Sequence, residues 1–358
     1  MDSPLISVLV TTALVVLTVA AARWYFHHVR VERPPVGVFN LRDVVFSFVV
    51  LVVVPPLYLR LPRQLIGTIL VLFGIALLYI MLTPLVRRPA AMAVALTLAG
   101  GEVALELTGR SGSALFVGLN DLVLLLLVVG VCNTWAQSGI RARDTAVFAG
   151  AVMLYDVVAT GLLPTTLEFA TRLQSLPFAP TMGWGSGTAA VFTGLGDLLF
   201  IVLWPLVAEK AYSVAAGRAA MAVTLGCVGT ITALFQFQIL TTPIPGMVLM
   251  GPAVIVHYLF LRHRHRQEHT AGEYEVLRHP ELPPLVVPPP RPVADLAVAV
   301  DWADRCATGG TGRYRAIVDG EVLASGTNPG AVLRAAGRRN ASATPVLVLG
   351  PPGPDDLA

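Results

Sequence analysis

Apolar runs of about twenty residues recur along the chain up to Arg262, separated by short segments that hold most of the charge in this region. A helix of that length crosses roughly 30 Å of hydrocarbon. Inside hydrocarbon every backbone N–H and C=O needs a partner within the protein, so such a run is read as a helix. Nine runs are found, near residues 4–22, 43–59, 64–83, 89–108, 114–135, 145–163, 187–208, 217–239 and 244–262. The expectation is an all-α polytopic membrane protein with nine transmembrane helices. Composition excludes the main alternative: only 13% of residues are charged, against about 25% in soluble domains. A net charge of +3, without a basic block interleaved with aromatics, excludes a nucleic-acid partner. The lipid bilayer is the expected surrounding.

The first run ends in Val19-Ala20-Ala21-Ala22, a sequence that a signal peptidase would accept. It follows Met1-Asp2-Ser3 rather than a positive segment, so it is read as a retained span. Pro55-Pro56, Pro205 and Pro252 fall in or near spans and mark expected kinks. With the N-terminus outside, the inner segments hold thirteen Lys and Arg residues and the outer segments four. This asymmetry predicts N-out, C-in. Lys210 is the only lysine, and the Arg, Ala, Val, Gly and Pro bias is that of a GC-rich prokaryotic genome, whose plasma membrane is the expected location.

Beyond Arg266 the character changes. His263, His265 and His269 alternate with arginines and are read as marking the cytoplasmic membrane edge, and residues 267–293 form a Pro-rich linker. Residues 294–350 predict a small soluble α/β unit of β-β-α-β type, ahead of a tail at 351–358. It has helical periodicity over Ala294–Cys306, an Asp319-Gly320 hairpin within Arg313–Ser325, a helix near Asn328–Arg339 and a strand at Pro345–Leu349. Cys132, Cys227 and Cys306 are far apart without CxxC spacing and are read as small apolar residues. No metal or organic cofactor is implied.

Five acids fall within or beside the apolar runs: Glu102, Glu106, Asp121, Asp156 and Asp197. A charge in hydrocarbon costs about 2.5–3.5 kcal/mol on insertion scales, so such acids face the interior. Glu102, Glu106 and Asp121 are read as hydrogen-bonded packing residues. Asp156, after Tyr155, and Asp197, after Gly194-Leu195-Gly196, fall toward the middle of the sixth and seventh runs. Adjacent antiparallel helices bring two such carboxylates together. Facing carboxylates share a proton, and one can then deprotonate a water while the other protonates an amide oxygen. Gly194 and Gly196 expose backbone before Asp197, where an extended strand can pair; equally, small-x-small spacing permits close helix packing.

Tyr155-Asp156, Gly194-Leu195-Gly196-Asp197 and a proline motif at the ninth run together resemble the presenilin and signal peptide peptidase family of intramembrane aspartyl proteases. The resemblance covers residues 145–262. It implies nine spans, catalytic aspartates at Asp156 and Asp197, and substrate contacts from Tyr155, Gly194, Leu195, Gly196, Pro245, Gly246 and Met247. The family has Pro-Ala-Leu where this chain has Pro245-Gly246-Met247, with Pro243-Ile244-Pro245 as a competing register. With N-out polarity the resemblance implies the signal-peptidase-like arrangement, in which substrates are signal peptides or single-span proteins with a cytosolic N-terminus. The apolar loop Gln174–Pro180 is read either as a gate that orders over substrate or as an ordinary interfacial loop. Two other readings stay open: a proton-coupled transporter using the same acids, and an inactive protease-like scaffold.

Overall fold

The computed structural model divides into two compact units, Met1–Arg278 and His279–Ala358. It describes residues 4–31, 41–162, 168, 172–184, 191–236, 239, 245–265, 267–269 and 274 of the first. Of the second it describes residues 313–318, 321–326, 332, 335–336, 338–339 and 346–350. The described chain is mostly helical. Helices α1 (Pro4–His28), α2 (Leu41–Arg60), α3 (Arg63–Leu82), α4 (Arg88–Leu107) and α5 (Ala114–Gln137) are followed by α6 (Ala142–Asp156), which continues into a π-helical turn, Val157–Leu162. Strands β1 (Thr181–Trp184) and β2 (Val191–Gly194) precede α7 (Leu195–Ala211), α8 (Val214–Gln236) and α9 (Met247–His265). Five of these helices, α1, α3, α4, α5 and α8, are long and apolar enough to cross a membrane.

The seventh helix departs from expectation. The apolar run near 187–208 is not one helix: Val191–Gly194 is a strand, and the helix begins only at Leu195. Val191, Phe192 and Thr193 are β-branched or aromatic and suit a strand. They pair antiparallel with β1, Thr181 facing Gly194 and Trp184 facing Val191. The Leu195 N–H, donating to the Pro180 carbonyl at 2.9 Å, closes this pairing where α7 starts. Thr11 of α1 bridges the other end: its hydroxyl accepts from Trp184 N at 3.2 Å and donates to Val191 O at 2.9 Å.

Helices α5 and α7 form the centre. From Leu198 onward α7 is buried apart from Leu199, which packs half-buried on the core, and α5 packs against α1, α3, α4, α7 and β1. A helix apolar on every face belongs in such a place. Helices α2, α7 and α9 run through Pro55-Pro56, Pro205 and Pro252. Large apolar side chains on α1 to α4 and α9, among them Phe46, Leu72, Phe73 and Val256, point out of the bundle. Cys132 and Cys227 are buried free thiols, as small apolar residues would be; Cys306 lies outside the described residues.

One end of the bundle is closed by a polar layer. Lys210, counted from sequence as a loop charge, is buried and donates to Ala136 O at 2.8 Å and Ile140 O at 2.5 Å, satisfying carbonyls where α5 ends. Glu209, also buried, pairs with Arg23 at 3.2 Å and His27 at 2.9 Å. Residues read from sequence as linker return to this layer. Glu268 accepts from Ala142 N at 3.2 Å, where α6 begins, and His269 N donates to Ala211 O at 2.8 Å, where α7 ends.

The arm before β1 packs onto the helices. Leu173, Leu176, Phe178 and Ala179 are buried. Arg172 donates to Leu59 O and Leu61 O, and Arg63 to Ser175 Oγ at 2.7 Å. Phe178 adopts φ 58°, a left-handed conformation that costs a non-glycine residue about 1–3 kcal/mol. Two contacts hold it there: its N–H donates to Glu102 Oε2 at 2.5 Å, and its ring lies against Gly74.

In the second unit, β3 (Arg313–Val318) pairs antiparallel with β4 (Glu321–Gly326) and β5 (Val346–Gly350), in the order β4-β3-β5. Ala316, Val332 and Ala336 form its small core. The two-residue gap between β3 and β4 fits the expected hairpin; Asp319-Gly320 and the expected helix at Ala294–Cys306 lie outside the described residues.

An alanine Cβ at Gly74 would come within 2.2 Å of the Phe178 ring, whereas one at Gly118 meets nothing within 4 Å. Gly74→Ala is expected to destabilise the detergent-solubilised protein by about 1–3 kcal/mol, as overpacking does. Gly118→Ala is not expected to lower the melting temperature. Equal melting temperatures for the two variants would contradict the packing of the arm.

Candidate active site

Asp156 and Asp197 come from the two places where regular helix geometry changes. Asp156 is the last residue of α6, where the i→i−4 ladder gives way to the π-helical turn. Single π turns inside α-helices recur at functional sites. Asp197 lies in the first turn of α7, just after β2. Asp197 is therefore not at the middle of a helix, as its apolar run suggests, because the extended segment 191–194 displaces the start of α7; Asp156 stays within its helical run, which goes on through Val157–Leu162. The end of α6 and the start of α7 nevertheless meet. The Asp197 carboxylate lies close enough to Asp156 to act on it electrostatically.

A third element completes the site. Gly246 N donates to Asp197 Oδ2 at 3.3 Å, and the Met247 amide donates to the same side chain. Met247 opens α9, so Asp197 lies against the N-terminal amides of α9 while occupying the first turn of α7. Helix N-termini favour negative charge. Asp156, at the C-terminal end of α6, has no such setting.

Space explains the glycine. A Cβ at Gly246 would lie 2.8–2.9 Å from Asp197 Cγ, Oδ1 and Oδ2, so the carboxylate occupies the volume a side chain would need. The register Pro245-Gly246-Met247 touches Asp197 through Gly246; Pro243-Ile244 of the competing register lies outside the described residues. The close approach continues along α9, where a Cβ at Gly251 would come within 2.7 Å of Met153 Cβ on α6.

The other sequence-derived residues surround this point unequally. Tyr155 is partly buried beside Asp156, and Leu195 is tied to Pro180. A Cβ at Gly194 would make only an ordinary 3.8 Å contact with Asp197 Oδ2, and one at exposed Gly196 would meet nothing within 4 Å. Neither glycine is needed for helix packing there. They add no side chain beside Asp197 at the end of β2. Among the described residues the sheet has only β1 and β2.

Three further acids have structural posts. Glu102 holds Phe178 N, Asp121 accepts from Gly183 N at 3.1 Å, and Glu106 lies 4.0 Å from Arg63. Asn120 donates to Ala179 O at 3.3 Å and Thr181 O at 3.0 Å. The sheet and the role of Thr11 were missed from sequence. The only signals for them are a β-branched run before Gly194 and a threonine pair inside the first apolar run.

Removing the Asp197 carboxylate frees two amides. Asp197→Ala is expected to speed hydrogen exchange at Gly246 and Met247, with Asp156→Ala leaving it unchanged; equal protection in both variants would contradict the contact.

Comparison of the chain with protein-family models, with curated proteins and with solved structures finds no match.

Proposed function

We propose that the protein is an intramembrane aspartyl endopeptidase, hydrolysing peptide bonds within transmembrane segments with Asp156 and Asp197 as its catalytic pair. The observation that carries this reading is the meeting of two carboxylates from α6 and α7, one of them held by α9 amides. The resemblance of Tyr155-Asp156 and Gly194-Leu195-Gly196-Asp197 to the presenilin and signal peptide peptidase family supports it independently.

The chemistry needs no metal or organic cofactor. Asp197, hydrogen-bonded by two amides at a helix N-terminus, is the charged member and takes a proton from water as the water oxygen attacks the scissile carbonyl carbon. Asp156, protonated, gives its proton to the carbonyl oxygen. The tetrahedral diol then collapses: the C–N bond breaks, the nitrogen leaves with a proton from the pair, and a carboxylic acid and an amine result. The pair titrates as a unit. A substrate helix must unwind to expose its carbonyl, and the outer edge of β2, which pairs with no third strand among the described residues, offers hydrogen bonds to the unwound strand.

In this reading the nine helices cross the membrane with the N-terminus outside and the polar layer around Glu209 and Lys210 at the cytoplasmic face. The substrates are signal-peptide-like or single-span segments whose own N-terminus is cytosolic.

The test is cleavage of a tagged single-span N-in substrate by protein in liposomes. Each of Asp156→Ala and Asp197→Ala is expected to lower the rate by at least about 100-fold, the scale of general acid–base catalysis. Gly246→Ala is expected to lower it about tenfold or more, since sub-ångström misplacement of a reacting group is costly. Undiminished cleavage in either aspartate variant, or no cleavage of several substrates by the wild type, would overturn the proposal.

A further inference from the structure

We infer that Asp121 and Asn120 of α5 are positioning residues that fix the register in which substrate reaches the Asp156–Asp197 pair; the inference rests on the protease reading above. In an antiparallel pair, alternate residues of a strand turn their backbone groups toward the partner and away from it. The pairing of β1 with β2 leaves Thr181 O and Gly183 N on the outer side of β1. Both are occupied: Thr181 O by Asn120 Nδ2 at 3.0 Å and Gly183 N by Asp121 Oδ1 at 3.1 Å. A further bond runs from Asn120 Nδ2 to Ala179 O at 3.3 Å. Two consecutive side chains on one helix thus act as the missing neighbour strand.

An extended substrate meets two constraints as a result. The outer edge of β1 is closed by these bonds, so among the described strands the edge left for an incoming strand is that of β2. Strand β2 is also registered against a fixed partner, because β1 cannot slide along α5 without breaking these bonds. Since β2 ends at Gly194, three residues before Asp197, its register sets which substrate carbonyl lies over the aspartates.

The chemistry of the posts supports a positional role. Asp121 is 3% exposed and Asn120 4% exposed. Asp121 Oδ2 and Asn120 Oδ1 have no hydrogen-bond partner among the described residues. A buried oxygen left unmatched is costly, and an apolar residue there would avoid it. What these side chains gain in return is hold on β1. Strain at Phe178, at φ 58°, adds to the need for a hold on this arm.

The experiment reads cut position rather than rate alone. Wild type, Asp121→Ala, Asp121→Asn and Asn120→Ala in liposomes are given one N-in single-span substrate, and the product ends are found by mass spectrometry. Hydrogen exchange at Gly183 is followed in the same samples. The expected result is faster exchange at Gly183 in Asp121→Ala, with products spread to bonds one or two residues from the wild-type site. Asp121→Asn, which keeps an acceptor oxygen, restores both, and Asn120→Ala spreads the products without removing the Gly183 bond. Unchanged cut sites despite a freed Gly183 amide overturn the inference while leaving the protease reading intact. If Asp121→Ala does not fold, unchanged cut sites in Asn120→Ala overturn it. If the wild type cleaves nothing, the protease reading fails and the register claim falls with it.

Discussion

The amides of Gly246 and Met247 hold the Asp197 carboxylate, and much of the site's geometry depends on that contact. It fixes the start of α9 against the start of α7 and places a glycine where any larger residue would displace the carboxylate. Helix α9 in turn lies close on α6 at Gly251 and Met153, which sets the far end of α6 and hence Asp156. Three segments distant in sequence thus converge on one point by backbone contact, without long polar side chains to bridge gaps. The dense burial along α7 and the polar layer at its C-terminal end keep that point from shifting.

Much of the bundle was legible in the sequence because hydrocarbon-length apolar runs leave a chain few alternatives. The first five runs and the eighth and ninth match helices to within a few residues. The seventh was misread because hydropathy does not distinguish an apolar strand from a helix: Val191-Phe192-Thr193 is as apolar as the helix after it. What separates them is a pairing with Thr181–Trp184, a segment whose sequence gives no strand signal of its own. The same limit hid the arm at Leu173–Pro180. Its apolar, proline-marked sequence fits a surface loop, yet its anchoring comes from Glu102, the Leu59 and Leu61 carbonyls that Arg172 reaches, and the space left at Gly74, all far away in the chain.

The candidate site was legible in part. Asp156 and Asp197 stood out by residue type and neighbours, and the structure brings them together. The place of Asp197 at a helix start was not legible, because it follows from β2, and neither was the π-helical turn after Asp156. Gly246 illustrates the difference between pattern and geometry. As a motif it is a departure from Pro-Ala-Leu; in space it is the residue that allows Asp197 to accept the α9 amides. Glu102 and Asp121 were correctly read as packing acids, but sequence could not say that both hold the segment leading into the sheet.

The central claim, that Asp156 and Asp197 act as one hydrolytic pair, is tested most directly by a photoreactive peptide analogue carrying a hydroxyl in place of the scissile carbonyl. Such a group mimics the tetrahedral diol and needs both carboxylates at once. The account predicts saturable labelling of the wild-type protein in liposomes, mapping to α6 and α7, and its loss in Asp156→Ala and in Asp197→Ala singly. Labelling that persists in either variant, or that falls elsewhere in the bundle, would contradict it.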